Sequence, residues 1–170
     1  MNTFAKCYHK QQAYMEIEYL KMLRDNPVKY PNDIEHRFEI EGIPLTEIEQ
    51  LEQTWNNGNP FPKALRELLF LAGEYCYVFS YGISTQQALQ QRFRMQMEEE
   101  NRVLTKPFYV MDIWGPDQFY FVYLDEGDNP YIYEAIPYEN KPNWFKKTDF
   151  TIKSKSEHRI ARVKRGENPY

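Results

Sequence analysis

The residues of this chain that could do chemistry are carboxylates and aromatics, concentrated in an acidic segment from Pro107 to Asn140. This segment contains no Lys or Arg, seven acids and ten aromatic residues. Carboxylates without basic neighbours cannot neutralise one another, so the segment predicts a surface with a negative field. Such a surface attracts a basic partner and repels nucleic acid.

Paired carboxylates could also catalyse hydrolysis. Asp112 and Asp117 flank a predicted hairpin turn and could face each other, as the acids of a glycoside hydrolase do. That spacing is common in hairpins, so a carboxylate-dependent hydrolase is kept only as an alternative. The turn from Asp125 to Pro130 is not a calcium loop, because the required Glu at position twelve is missing and Glu134 falls at position ten.

Other catalytic and metal-binding patterns are absent from the sequence. His9, His36 and His158 are scattered, and none has another His or a Cys three or four residues away. No serine sits in a nucleophile elbow, and there is no phosphate-binding or dinucleotide fingerprint. Cys7 and Cys76 are expected to be reduced core residues. We therefore expect no enzyme activity, no cofactor and no metal.

Composition predicts one globular domain in the cytoplasm. The chain has 170 residues and a net charge of −4, and no segment resembles a signal peptide or a membrane helix. Residues 153–166 hold six basic residues and one acid, which makes that stretch +5 and the remainder −9. This basic tail is expected either to be solvated and partly disordered or to fold back on the acidic sheet.

Hydrophobic periodicity predicts four helices that mostly precede the strands. The first should run from about Asn2 to Arg24, with Ala13, Ile17, Leu20 and Leu23 on one face. The second should start at Thr46 in a capping box with Glu49. A third should follow Pro60-Phe61-Pro62 and end at Gly73. A fourth should span about Thr85 to Val103, with Ser84 and Gln87 as a capping box at its start.

Alternating aromatics predict the strands. The expected strands are Glu74–Ser80, Phe108–Trp114, Phe119–Leu124, Tyr131–Ile136 and Phe150–Lys153. Short turns between consecutive strands indicate an antiparallel sheet, so the class is α+β. Both alternating sets around Tyr120 are apolar or aromatic. Either helices cover both faces of the sheet, or one face is a binding surface.

Part of this pattern resembles the SUKH superfamily, which includes regulators of yeast cell-wall synthesis and bacterial immunity proteins. The resemblance covers about Pro44 to Pro137. It rests on the Ile48–Leu51 stripe, on Phe61-Pro62 leading through Leu65, Leu68 and Leu69 to Gly73, and on Leu124-Asp125 with Asp128-Asn129-Pro130-Tyr131-Ile132-Tyr133. The chain departs from the family at Ala72-Gly73, where family members usually carry a Gly pair.

The resemblance implies a SUKH-like α+β domain at residues 44–152, between a helical extension at 1–43 and a basic tail at 153–170. It also implies a cytoplasmic immunity protein that binds and occludes a toxin, with a regulatory scaffold as the alternative. The expected partner is a protein with a basic surface rather than a membrane or a nucleic acid. The predicted contact residues are Asp112, Trp114, Asp117, Tyr120, Asp125, Glu126 and Asp128.

Overall fold

The computed structural model describes residues 14–32, 38–82, 85–139 and 142–170. Within these ranges five helices pack with a four-stranded antiparallel sheet, which confirms the α+β class. The helices are α1 (Lys21–Asp25), α2 (Leu45–Trp55), α3 (Lys63–Ala72), α4 (Gln86–Glu99) and α5 (Ile152–Lys164). The strands are β1 (Phe108–Trp114), β2 (Gln118–Tyr123), β3 (Tyr131–Ala135) and β4 (Phe145–Thr151).

The sheet is a meander in which each strand pairs with the next along the chain. Phe121 of β2 lies opposite Val110 of β1 and Tyr133 of β3. The β1–β2 turn passes through Gly115, whose φ of +67° favours glycine. Short turns of this kind leave no room for crossover connections, so the antiparallel arrangement follows from the connection lengths.

Helices cover both faces of the sheet. On one face Phe93 of α4 packs with its ring centroid 4.3 Å from that of Phe119 and 5.8 Å from that of Phe108. On the other face lies α5, whose Lys155 ammonium is 5.8 Å from the Tyr120 ring centroid on β2 and whose Arg159 pairs with Asp112 on β1. This double cover explains why both alternating residue sets of β2 are apolar or aromatic.

Helix α4 is tied to β1 by a buried amide as well as by its apolar stripe. Leu89, Phe93 and Met97 are buried, as their spacing predicted. Gln90 donates to the Val110 carbonyl at 2.7 Å and accepts from the Val110 N–H at 2.9 Å. The side chain therefore satisfies backbone groups at the outer edge of β1 that would otherwise be buried without partners.

The predicted N-terminal helix is wrong over residues 14–20, which are irregular, and helix α1 covers only Lys21–Asp25. The rest of that prediction, up to residue 13, lies outside the described residues. The buried carboxylate of Glu67 accepts hydrogen bonds of 2.8 Å from the backbone N–H groups of Glu18, Tyr19 and Leu20. These donors are satisfied by α3 rather than by a helix of their own, although Leu20 is still buried.

Residues 74–80 do not form the predicted strand. Only Tyr75 makes a β-bridge, to Glu41, and the chain then runs irregularly beside β1. The Ser80 carbonyl accepts from the Ile113 N–H at 2.7 Å. Residues 76–79 are all buried, so their alternation reflects packing on two sides of an irregular segment.

The predicted cap of helix α2 was also wrong. Helix α2 begins at Leu45 after Pro44, and no side chain caps it, so Thr46 and Glu49 form no capping box. Thr85 caps α4 by accepting from the Ala88 N–H at 3.1 Å. The other predicted cap, Ser84, lies outside the described residues.

The tail folds as a helix. Strand β4 ends at Thr151, which caps α5 in a reciprocal pair with Ser154, so the strand predicted at Phe150–Lys153 is displaced toward the N-terminus. Ile152 and Ile160 are buried on the inner face of α5. Burial of this face stabilises the helix although its composition is strongly basic.

Replacing Phe93 with Ala tests the aromatic core. We expect the free energy of unfolding to fall by about 3–5 kcal/mol, because a large cavity opens between α4 and the sheet. Urea denaturation measures the change. The control is Met95→Ala. Met95 lies two residues away on the exposed face of the same helix, so the free energy of unfolding of this variant should stay within about 0.5 kcal/mol of that of the wild type. Equal losses from both changes would contradict the proposed core.

Candidate functional site

The predicted contact residues do not form one patch. Trp114, Asp117 and Tyr120 lie near the β1–β2 turn, whereas Asp125, Glu126 and Asp128 occupy the β2–β3 turn. Strand β2 separates the two turns by about 20 Å. The surface-accessible residues of the predicted set therefore fall into two groups at opposite ends of the sheet, and their contact with one partner stays a prediction.

Asp112 is withdrawn from the surface. Its side chain lies in β1 at 2% exposure. One carboxylate oxygen accepts from the Ser80 N–H at 2.6 Å, and the other accepts from Nη1 of Arg159 at 2.6 Å. Its direct cross-strand neighbour is Tyr120 rather than Asp117. Asp112 can neither touch a partner nor pair with Asp117 as a catalytic acid, and both predictions for it are corrected.

Arg159 is equally buried, at 3% exposure. Besides Asp112, it donates to the Val78 carbonyl at 2.5 Å, and its guanidinium lies 4.9 Å from the ring centroid of Tyr170. Burial raises the pKa of Asp112, because desolvation outweighs the opposing effect of the Arg159 charge. The ion pair joins α5, β1 and the 76–80 segment at one point.

The acids of the acidic segment find bases elsewhere in the fold. Lys106 lies 3.2 Å from the Asp125 carboxylate and 3.8 Å from that of Glu126. Lys146, on the neighbouring strand, lies 2.9 Å from the Glu134 carboxylate. The uncompensated negative field predicted for this sheet is therefore wrong at these positions, because cross-strand and loop neighbours supply the positive charge.

A surface of aromatic and polar side chains does form beside the β1–β2 turn. We call it the hairpin surface, and it consists of Trp114, Gln118, Tyr120, Lys155 and Tyr170. Trp114 is 49% exposed, and its ring centroid lies 5.7 Å from that of Tyr170. It stands opposite Gln118 in the sheet, which places it on the same face as Tyr120.

The polar groups of the hairpin surface hold one another in place. Gln118 donates to the Tyr120 hydroxyl oxygen at 3.1 Å and also donates to Glu134. The ammonium of Lys155 lies 5.8 Å from the Tyr120 ring centroid. Burial raises the pKa of Tyr120 and lowers that of Lys155. The tyrosine is therefore neutral at physiological pH, and its hydroxyl can donate to a partner.

Sequence reasoning missed three members of this surface. Gln118 lies between predicted elements and carries no motif. Lys155 and Tyr170 were assigned to a tail, because nothing in the local sequence places α5 against β1. The usable signal was the helical spacing of the apolar residues Ile152, Ile160 and Val163, which is weak beside so many basic residues.

Other reactive groups stay isolated. The thiol of Cys76 is free and buried, and desolvation raises its pKa to about 12. His158 is exposed and its ring lies against Phe150. Within the described ranges, no three His, Cys, Asp or Glu side chains cluster closely enough to hold a metal ion. Across the same residues, none of the helices has the length and apolar character needed to cross a bilayer.

The chain matches no protein-family model, no curated protein and no solved structure. The likeness to SUKH proteins therefore rests on residue patterns alone. The geometry adds one candidate site, the hairpin surface, which contains two of the seven predicted contact residues.

The buried ion pair can be tested by a double-mutant cycle. Asp112→Leu or Arg159→Met alone should lower the free energy of unfolding by about 3–5 kcal/mol, because each leaves an unpaired buried charge. The double variant should recover much of that loss, since no charge then remains buried. Guanidinium denaturation measures all four proteins. Strictly additive losses would show that the two groups do not interact.

The raised pKa of Cys76 predicts an inert thiol. In a Cys7→Ser background, we expect a disulfide reagent at pH 8 to label Cys76 only as fast as the protein opens, because almost no thiolate forms. Absorbance of the released thiol, with and without denaturant, gives the two rates. Rapid labelling of the folded protein would contradict the burial of this residue.

Proposed function

We propose that this protein binds a protein toxin in a one-to-one complex in the cytoplasm and neutralises it by occlusion, as SUKH-type immunity proteins do. The observation that carries the proposal is the exposed indole of Trp114 beside Tyr170 on a rigid sheet. Trp and Tyr with satisfied polar neighbours are the residues that dominate binding energy in protein interfaces.

The hairpin surface is suited to binding because it is already ordered. Trp114 lies on a paired strand, and Tyr170 is held over Arg159, whose own position is set by Asp112. The side chains of the hairpin surface therefore lose little conformational entropy when a partner binds. The free energy gained by burying the indole then contributes to affinity, because no loop has to become ordered.

The charges around this surface are mixed rather than acidic. Glu134 and Lys146 form an ion pair at its edge, and Lys155 lies within it. Such a rim selects a partner with complementary charges of both signs and contributes more to specificity than to affinity. Occlusion would follow if the toxin presents its active-site groove to Trp114.

A regulatory scaffold is the alternative, and it would use the same surface for an endogenous partner. Co-expression with the neighbouring genes, followed by capture on the tagged protein, separates the two. Recovery of a neighbour-encoded toxin whose toxicity is abolished supports immunity. Recovery of host housekeeping proteins alone would move the assignment to a scaffold.

Trp114→Ala tests the surface once a complex is in hand. We expect the off-rate to rise by about 30-fold or more, as for a central interface aromatic, with little change in the on-rate. Tyr120→Ala should act in the same direction. Surface plasmon resonance against the captured toxin measures both rates.

The matched control is Tyr131→Ala. The exposed fraction of Tyr131, 42%, is similar to that of Trp114. Tyr131 lies at the opposite end of the sheet, however, beside Lys147. Its replacement should leave both rates unchanged. Equal effects of Trp114→Ala and Tyr131→Ala, or no effect of either, would rule out the hairpin surface as the contact.

A further inference from the structure

A groove lies on the other side of the β1–β2 turn from the hairpin surface. It has a volume of about 620 Å³ and runs between α4 and turn residues Pro116 and Asp117. Along α4 its lining residues recur at spacings of three and four from Ala88 to Glu100. One whole stripe of the helix, opposite the buried Phe93 stripe, therefore faces this groove.

Two large apolar side chains are exposed in the groove. Met95 is 60% exposed at the middle of the α4 stripe, and Tyr138 is 54% exposed beyond the sheet. Neither is needed for the core, since Phe93 and Met97 fill the inner face of the same helix. Flexible Met side chains exposed in a groove adapt well to an apolar partner group.

The groove also carries negative charge in an unfavourable place. Glu99 is the last residue of α4 and Glu100 is its C-cap, and the last turn contains no basic residue. The negative end of the helix dipole lies there, so these carboxylates are destabilised by their own helix. Across the described ranges, no Lys or Arg forms an ion pair with either of them.

The remaining charges of the groove sharpen its polarity. Asp117 accepts a long amide hydrogen bond from Gln96, at 3.3 Å. Among the described residues, Arg92 is the one basic residue that lines the groove; it donates to the Pro116 carbonyl at 3.1 Å and lies toward the other end of the stripe. The end that contains Glu99 and Glu100 is thus left to attract a cation.

We propose that this groove binds a basic, amphipathic segment of a partner protein. An apolar side chain of that segment packs on Met95 and Tyr138, and its Lys or Arg residues meet Glu99, Glu100 and Asp117. The stripe from Ala88 to Glu100 is about 18 Å long, which matches about three turns of helix. The inference deepens the proposed function and rests on it, because it names the chemistry of the toxin segment that is bound.

The probe is a synthetic helical peptide of Leu and Lys, about three turns long, compared with a peptide in which Gln replaces Lys. Methyl NMR of labelled methionines reports the site. We expect the Leu–Lys peptide to shift the Met95 methyl signal and to leave Met22, which is 37% exposed elsewhere, unchanged. The Gln peptide should bind much more weakly, because it lacks the cations.

Two charge variants with the same net change complete the test. Glu99→Gln with Glu100→Gln should weaken the Leu–Lys peptide by about tenfold, through loss of two partly exposed ion pairs. Glu16→Gln with Glu49→Gln removes two exposed acids outside the groove and should change affinity by less than about twofold, since distant charges are screened. Equal weakening by both pairs, or equal shifts at Met22 and Met95, would overturn the inference.

The toxin complex distinguishes this inference from the proposed function. A complex that is lost with Trp114→Ala but unaffected by the Glu99 and Glu100 changes overturns the groove and leaves the immunity proposal standing. Specific peptide binding at Met95, in a protein that neutralises no toxin, supports the groove and removes the immunity proposal. Loss of the complex with both variants supports both.

Discussion

The buried ion pair between Asp112 and Arg159 is the interaction on which the rest of this fold depends. It joins an edge strand, an irregular segment and the last helix, because Asp112 also accepts from Ser80 and Arg159 also donates to Val78. Removing either charge would leave the other in a low-dielectric core, where an unpaired charge is very costly. These three parts of the chain therefore form together, and α5 cannot remain a solvated tail.

The same pair determines the shape of the hairpin surface. Trp114 follows Asp112 by two residues in β1, and Lys155 precedes Arg159 by one helical turn. Tyr170 covers the guanidinium of Arg159 and stands beside the Trp114 indole. A buried ion pair adds little net stability over an apolar pair of similar volume, but it has only one good geometry. Its contribution here is to fix where the exposed aromatics lie.

Sequence patterns predicted the elements whose causes are local. The first three strands, β1 to β3, follow from aromatic alternation, and α3 follows from Pro62 before it and Gly73 after it. The failures have distant causes. Residues 14–20 are irregular because Glu67, on another helix, accepts hydrogen bonds from N–H groups of this segment. Helix α5 is ordered because Arg159 pairs with Asp112, which lies 47 residues earlier in the chain. The two partners of each interaction are too far apart in the sequence for any local pattern to reveal them.

The charge of the predicted site was misjudged because its neighbours were counted along the chain. Counting charges along the chain treats sequence neighbours as the relevant ones, whereas in a sheet the relevant neighbours stand across the strands, as Lys146 stands beside Glu134. Glu134 is neutralised in this way, and Asp112, Asp125 and Glu126 are neutralised by residues of other elements. Within the described residues, Glu99 and Glu100 at the end of α4 form no ion pair with a Lys or Arg. Trp114, which was predicted as a contact residue, is 49% exposed at the end of its strand.

The β1–β2 turn separates two surfaces of different chemistry. One side presents Trp114 with charges of both signs, and the other presents Met95 with carboxylates that form no ion pair within the described part of the chain. A stable interface buries about 800 Å² of surface on each partner. The exposed aromatic residue on one side of the turn, or the exposed Met on the other, provides less than this area alone. A partner that encloses the turn would cover both, and it would neutralise Glu99 and Glu100 where the helix itself cannot. Cations of such a partner would offset the unfavourable charge at the end of α4, so binding would stabilise this helix.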